Sequence, residues 1–135
     1  ALCVFDLNNL HTVNNSFGHE KGDEYIRSFA QQLGRVASET CFVGRDGGDE
    51  FIAVLWDADR AAVESFLARV RANVNEHSEA HPDMHISYAV GYALSSDFDE
   101  SPTMRELFSQ ADKNMYIDKN RAKTAEAAGP QREER

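Results

Sequence analysis

The sequence predicts an α+β fold, with a ferredoxin-like, mainly antiparallel central sheet flanked by helices. Three observations carry that prediction. Cys41 to Asp46 and Glu50 to Trp56 are strand-like runs separated by Gly47-Gly48, which reads as a tight hairpin. Two long segments repeat apolar residues at helical spacing. A third, Met84 to Leu94, alternates between large and small side chains as a strand does.

The elements follow in order. Ala1 to Asp6 is a short apolar run ending in an acid and reads as a buried strand. The chain opens directly on that strand, as expected of a chain cut from a longer one. A polar stretch around Asn8 to Gly18 leads to a helix whose apolar face is Tyr25, Ile26, Phe29, Ala30, Leu33 and Val36. After the hairpin, a second amphipathic helix runs from about Asp59 to Asn75, with Ala62, Val63, Phe66, Leu67, Val70 and Val74 on one side. Pro82 lies in the loop that closes it. In the following strand Ile86, Tyr88, Val90, Tyr92 and Leu94 share one face. The other holds Ser87, Ala89, Gly91 and Ala93, so a helix is expected to pack close against it. The last helix starts after Ser101-Pro102 and buries Met104, Leu107, Phe108, Ala111 and Met115. From Thr124 the apolar pattern ends, and residues 124–135 are expected to form a disordered tail.

Composition narrows the function. A chain of 135 residues with 41% hydrophobic content makes one domain with a real core. Its 14 basic against 23 acidic residues give a formal charge of −9, which argues against a nucleic-acid or anionic-membrane partner. A small phosphorylated substrate stays open, because a bound metal inverts the local field. No apolar run approaches the roughly 20 residues that span a bilayer, and no secretory signal is visible. Cys3 and Cys41 sit in apolar runs and read as reduced core residues, consistent with a cytoplasmic location. No Cys/His cluster has zinc-ligand spacing, and the five histidines are scattered.

Two acidic positions stand out by location. Asp6 ends the first strand, so its carboxylate should emerge at the edge of the sheet. Asp49 and Glu50 follow the two glycines at the hairpin tip, where positive φ and close ligand approach are allowed. If these strands are neighbours the carboxylates converge, and they repel unless a cation lies between them. Hard oxygen ligands of this kind suit Mg²⁺. On spacing alone, a polar turn with solvated acids is the simpler reading.

The stretch Gly47-Gly48-Asp49-Glu50-Phe51, led by Arg45, resembles the signature after which the GGDEF diguanylate cyclases are named. Two further blocks are similar to the same family in the same order. One is Phe5-Asp6-Leu7 through Val13-Asn14, Phe17-Gly18-His19 and Gly22-Asp23. The other is Ala111-Asp112-Lys113 with Met115-Tyr116 and Lys119. The likeness covers residues 1–123, which the reading takes as one GGDEF domain truncated at its N-terminus. It implies a palm like that of nucleotidyl cyclases and the condensation of two GTP into cyclic di-GMP and two pyrophosphates. It further implies two Mg²⁺ per active site, with Mn²⁺ an alternative, held by Asp6, Asp49 and the Leu7 carbonyl. Asp49 would accept the proton of the ribose 3′-hydroxyl beside Glu50, an auxiliary acid. Asn14 and Asp23 would bind guanine, and the backbone at Asn9 and Leu10 would cradle phosphate. Arg45, Gly47 and Gly48 would belong to the substrate-binding residues. Lys119 and Lys123 would contact phosphate, Lys123 standing where an arginine is usual and so lacking its bidentate fork.

Two departures from the family pattern matter. His11 occupies the position of a lysine thought to stabilise the transition state, and a mostly neutral imidazole supplies less charge. Ser38 and Cys41 stand where many members carry the RxxD site for inhibitory product, so feedback through that site is expected to be absent. The resemblance implies a homodimer holding one GTP per subunit and a sensory or regulatory region N-terminal to this domain, with or without a membrane anchor elsewhere in the parent protein. The competing reading is a degenerate module that binds GTP or a cyclic dinucleotide and regulates a partner domain. His11 favours that reading, and the intact Asp6 and Asp49 oppose it.

Overall fold

The computed structural model describes residues 1–133. Its elements are β1 (Leu2–Leu7), α1 (Leu10–Phe17), α2 (His19–Gly34), β2 (Cys41–Gly47), β3 (Glu50–Leu55), α3 (Arg60–Ala80), β4 (Tyr88–Ala93) and α4 (Met104–Glu133). A short 3₁₀ turn, Ser95–Asp97, follows β4. All three strand pairings are antiparallel and the sheet order is β2-β3-β1-β4, the arrangement expected of a ferredoxin-like sheet.

The two-residue period of the strands divides the core into two layers. On one face Cys3, Phe5 and Leu7 of β1 meet Phe51 and Ala53 of β3, with Phe29 of α2 and Phe66 of α3 above them. Phe5 and Phe29 centre the aromatic cluster, the Phe29 ring centroid lying 5.0 Å from Phe51, 5.2 Å from Tyr88 and 5.9 Å from Phe5. These edge and tilted contacts are the favoured geometry for aromatic pairs. Burial raises the Cys3 thiol to about 12, which makes it a packing group without thiolate chemistry. On the opposite face Leu2 and Val4 of β1, with Ala89 and Ala93 of β4, pack under Leu107, Ala111 and Met115 of α4.

The small-residue face of β4 does what its composition requires. A methyl group added at Gly91 would fall on the backbone nitrogen of Met115 and the carbonyl of Ala111, so α4 rides directly on this strand. Helix starts follow local chemistry as well. Asp59 accepts from the Ala62 N–H at 2.8 Å and caps α3. Thr103 and Glu106 bond each other's backbone N–H at 3.1 Å, a reciprocal capping box that starts α4.

Several boundaries differ from the sequence expectation. The expected strand from Met84 narrows to Tyr88–Ala93, although Met84 and Ile86 remain buried in the loop before it. There the backbone makes side-chain bonds in place of a ladder, as when Ile86 N–H donates to Ser78 Oγ. α3 continues five residues past Asn75 to Ala80, because Val74 and Ser78 keep its buried stripe going. Met104, expected in the core, is 56% exposed, since the buried stripe begins one turn later at Leu107. The backbone of α4 is helical to Glu133, past the point where the tail was expected. The tail's last two residues, and the side chains of Lys123 and of residues 125–133, lie outside what is described.

Candidate active site

Strand parity places the first acid. Asp6 shares a face with Leu2 and Val4, so it points toward α4 and not into the aromatic core. It pairs in register with Glu50 on β3 and with Ala89 on β4, and its residue is only 8% exposed. The β1–β3 pairing also ties the hairpin tip to the end of β1: Leu7 N–H donates to the Asp49 carbonyl at 2.9 Å. Asp6 and the adjacent pair Asp49-Glu50, more than forty positions apart in sequence, are therefore held together at one end of the two central strands. The convergence expected from neighbouring strands is present.

The two signature glycines make the tip possible. Gly47 has φ 134° and Gly48 has φ 50°, the region where a side chain is strained. Arg45 straps the turn from below, with Nε and Nη2 donating to the Gly48 carbonyl at 3.0 and 2.8 Å. Arg45 thus supports the hairpin that carries Asp49.

Beyond β1 the chain turns at Asn9, whose φ of 65° lets α1 start immediately. Asn8 holds this turn to the loop just before β4, through its N–H to the Ser87 carbonyl and its side-chain amide to Ser87 Oγ. Tyr25 fastens the same junction from α2. Its hydroxyl lies 2.9 Å from the Asn8 carbonyl and also accepts from Ser87 N–H. Sequence reasoning placed Tyr25 only in the core; its polar end gave no signal beyond the residue type. Leu7, Asn8, Asn9, Leu10, His11, Asp49, Lys119 and Ala122 surround a cavity of about 250 Å³. The His11 Nε2 lies 3.0 Å from the Asn15 side-chain amide nitrogen.

Electrostatics mark this corner as short of positive charge. Burial pushes the Asp49 carboxyl up, and the charge of Asp6 adds to the effect. Glu50 is pushed up to about 7, first by burial and then by Asp112, Asp46, Asp6 and Asp49. Asp112, one position after the buried Ala111 on α4, belongs to the cluster, a role that its place in the Ala-Asp-Lys block did not reveal. Lys119 on α4 donates from Nζ to Asp6 Oδ2 at 2.6 Å, and that bond holds the ammonium above its ordinary value. Among the described residues, no three His, Cys, Asp or Glu side chains already encircle a point where an ion would sit. The donor chemistry nevertheless fits a hard cation. The carboxylates are oxygen donors that disfavour each other's ionisation, and a divalent ion relieves that repulsion.

The expected base-binding pair lies next to this corner. Gly22 is buried in α2, and a methyl group there would overlap the Asn14 side-chain oxygen, so this glycine lets the Asn14 amide lie against α2 beside Asp23. Asp23 lines a second cavity, of about 530 Å³, with Ile26, Arg45 and Phe51 among its walls. At the expected RxxD positions, Ser38 and Cys41 bond each other's backbone across a tight turn, and Cys41 is buried. The side chain of Lys123 lies outside the described residues.

Comparison with known families decides the identity. The model of the family described as "Diguanylate cyclase, GGDEF domain" matches residues 1–125. The chain belongs to the GGDEF domain family. Among curated relatives, this GGDEF domain is 29% identical over 126 residues to diguanylate cyclase DosC of Escherichia coli K12, covering 91% of this chain and 27% of DosC. It is 32% identical to the signaling protein YkoW of Bacillus subtilis, covering 88% of this chain and 15% of YkoW. It therefore spans about a quarter or less of these relatives' length. Among solved structures, the active GGEEF domain of a Vibrio cholerae diguanylate cyclase superposes with a TM-score of 0.72 at 27% identity, over 89% of this chain and 76% of that one. The GGDEF domain of DgcB from Caulobacter crescentus, solved with c-di-GMP, gives 0.73 at 25% identity, over 88% and 71%. The fold is thus the α+β palm of this family, as expected from the sequence.

Proposed function

We propose that this GGDEF domain condenses two GTP molecules into cyclic di-GMP and two pyrophosphates. The observation that carries the reading is the meeting of Asp6, Asp49 and Glu50 at one end of the two central strands, beside a cavity walled by the Asn9 turn and Lys119. In each half-reaction a ribose 3′-oxygen forms a bond to the α-phosphorus of the other GTP. The bond from that phosphorus to the β-bridging oxygen breaks, and pyrophosphate leaves. Two such steps close the ring.

The residues divide the work. Asp6, Asp49 and the Leu7 carbonyl would hold two Mg²⁺, or Mn²⁺ in its place. Bound there, the ions supply Lewis-acid polarisation of the phosphate and offset charge on the leaving group. Asp49 takes the 3′-hydroxyl proton, with Glu50 beside it. The Asn9 and Leu10 N–H groups at the start of α1 face the triphosphate, where a helix N-terminus favours negative charge. Lys119 supplies a mobile ammonium to the same phosphates, and Lys123 a second. His11 offers a ring N–H, with less charge than a lysine would bring. Asp23 accepts from guanine N1–H and N2–H and Asn14 supplies the complementary amide, which disfavours adenine.

Each domain holds one GTP, so the reaction needs two copies facing each other as a homodimer. Ser38 and Cys41 offer no charge to a bound product, which supports the absence of RxxD feedback. The test is incubation with GTP and Mg²⁺ followed by product chromatography at rising protein concentration. Cyclic di-GMP from the wild type and none from Asp49→Ala is the expected result. GTP retained on the protein without any product would instead identify a binding module.

A further inference from the structure

The ion pair between Lys119 and Asp6 joins two sites that the proposed function treats separately. Nζ lies 2.6 Å from Asp6 Oδ2, with the lysine side chain 26% and the aspartate side chain 11% exposed. This is not a surface pair formed by chance. Asp6 lies on the α4 face of β1, and Lys119 stands one helical turn beyond Met115 on the buried stripe of α4, so sheet parity and helix period aim them at each other. The oxygen that accepts the ammonium is a donor atom that a divalent ion would need. Lys119 also lines the cavity of about 250 Å³ with Asn9, His11 and Asp49, where phosphate would lie. Its four-carbon stem can swing between carboxylate and cavity without movement of the helix.

We propose that Lys119 is a built-in counter-ion that occupies Asp6 in the metal-free domain, competes with the divalent cation for it, and is released toward the phosphate cavity when the metal enters. The inference rests on Asp6 being a metal ligand, as in the proposed function. The lysine then has two roles. It keeps the carboxylate corner folded when no metal is bound, and it raises the metal concentration needed to fill the site. Nucleotide phosphate offers the displaced ammonium a new partner, so metal and substrate binding support each other.

Manganese binding to the nucleotide-free 135-residue chain tests this directly, with free Mn²⁺ read by electron paramagnetic resonance. Lys119→Gln should bind Mn²⁺ about tenfold more tightly than wild type, because a cation within contact distance of the ligand is removed. Lys119→Arg, which keeps the charge, should stay near wild type. Equal or weaker binding by Lys119→Gln overturns the proposal. Asp6→Asn separates the two layers of argument. If it loses Mn²⁺ binding while Lys119→Gln gains nothing, the metal reading of Asp6 stands and the counter-ion role falls. If it binds Mn²⁺ as wild type does, both fall. A measurement without any variant covers the case in which Lys119→Gln does not fold. In ¹⁵N NMR of the lysine ammonium groups, one signal held by a hydrogen bond in the metal-free wild type should move to the solvated position on adding Mg²⁺. An unchanged signal overturns the proposal.

Discussion

At the scale of single residues, the site divides into groups that do chemistry and groups that hold them in place. In the proposed function Asp49 belongs to the first, while Arg45, bonded to Gly48, belongs to the second, although both come from the same signature. Arg45 is spent on the Gly48 carbonyl, so Arg45→Ala should loosen the hairpin and lower turnover without changing which nucleotide is preferred. Initial rates with GTP and ATP check this. His11 stands where the resemblance to the family implies a lysine. Its ring lies against the Asn15 side-chain amide. Restoring a cation with His11→Lys should raise kcat by about tenfold with little change in KM, as expected for charge that acts in the transition state. Steady-state kinetics on the two proteins decides it, and an unchanged kcat would show that this position does not face the reacting phosphate. The meeting of Asp6, Asp49 and Glu50 was legible from the sequence because two of them sit in a recognisable block and one ends a strand. Tyr25 and Asp112 were not. Their roles depend on which backbone and which carboxylates lie across from them, and that is tertiary information.

At the scale of elements, the alternation of β4 was the most informative pattern in the chain. Ala89, Gly91 and Ala93 foretold a helix in close contact, and the backbone of α4 at Ala111 and Met115 fills that space. Gly91→Val should therefore destabilise the domain by about 3 kcal/mol, the upper part of the usual range for overpacking. Urea unfolding would measure it, and a loss within about 0.5 kcal/mol, usual for surface sites, would contradict this packing. The ends of elements were less legible. α3 overran its expected end because burial of Ser78 continues a stripe that hydrophobicity alone stops at Val74. Met104 looked like core by spacing, yet it lies in the capping turn ahead of the first helix residue that reaches the sheet. Periodicity identifies a face; how much of that face is covered depends on the neighbouring element.

At the scale of the whole molecule, a domain with a formal charge of −9 gathers several of its acids at one end of its central strands. The consequence for stability has a definite sign. Glu50 rises from an ordinary value of 4.5 to about 7 in the folded state, so between these values the native domain holds a proton that the unfolded chain has released. Metal-free stability should therefore fall as pH rises from 4.5 to about 7, and Asp49, also raised, acts in the same direction. Glu50→Gln should flatten that slope, and Mg²⁺ should oppose it, in melting midpoints taken across the range. Assembly sets the kinetics. If two domains must meet for each ring closure, the initial rate rises more than linearly with protein concentration, and strict proportionality over a wide range would contradict the dimeric reaction. The central claim is that Asp6, Asp49 and Glu50 form a metal-dependent cyclising centre. It is tested most directly by following pyrophosphate and cyclic di-GMP together, with GTP and Mg²⁺, for wild type and Asp49→Ala. The expected result is two pyrophosphates for each cyclic di-GMP from the wild type and neither product from the variant. Cyclic di-GMP formed by Asp49→Ala at the wild-type rate, or pyrophosphate released by the wild type without the cyclic product, would contradict it.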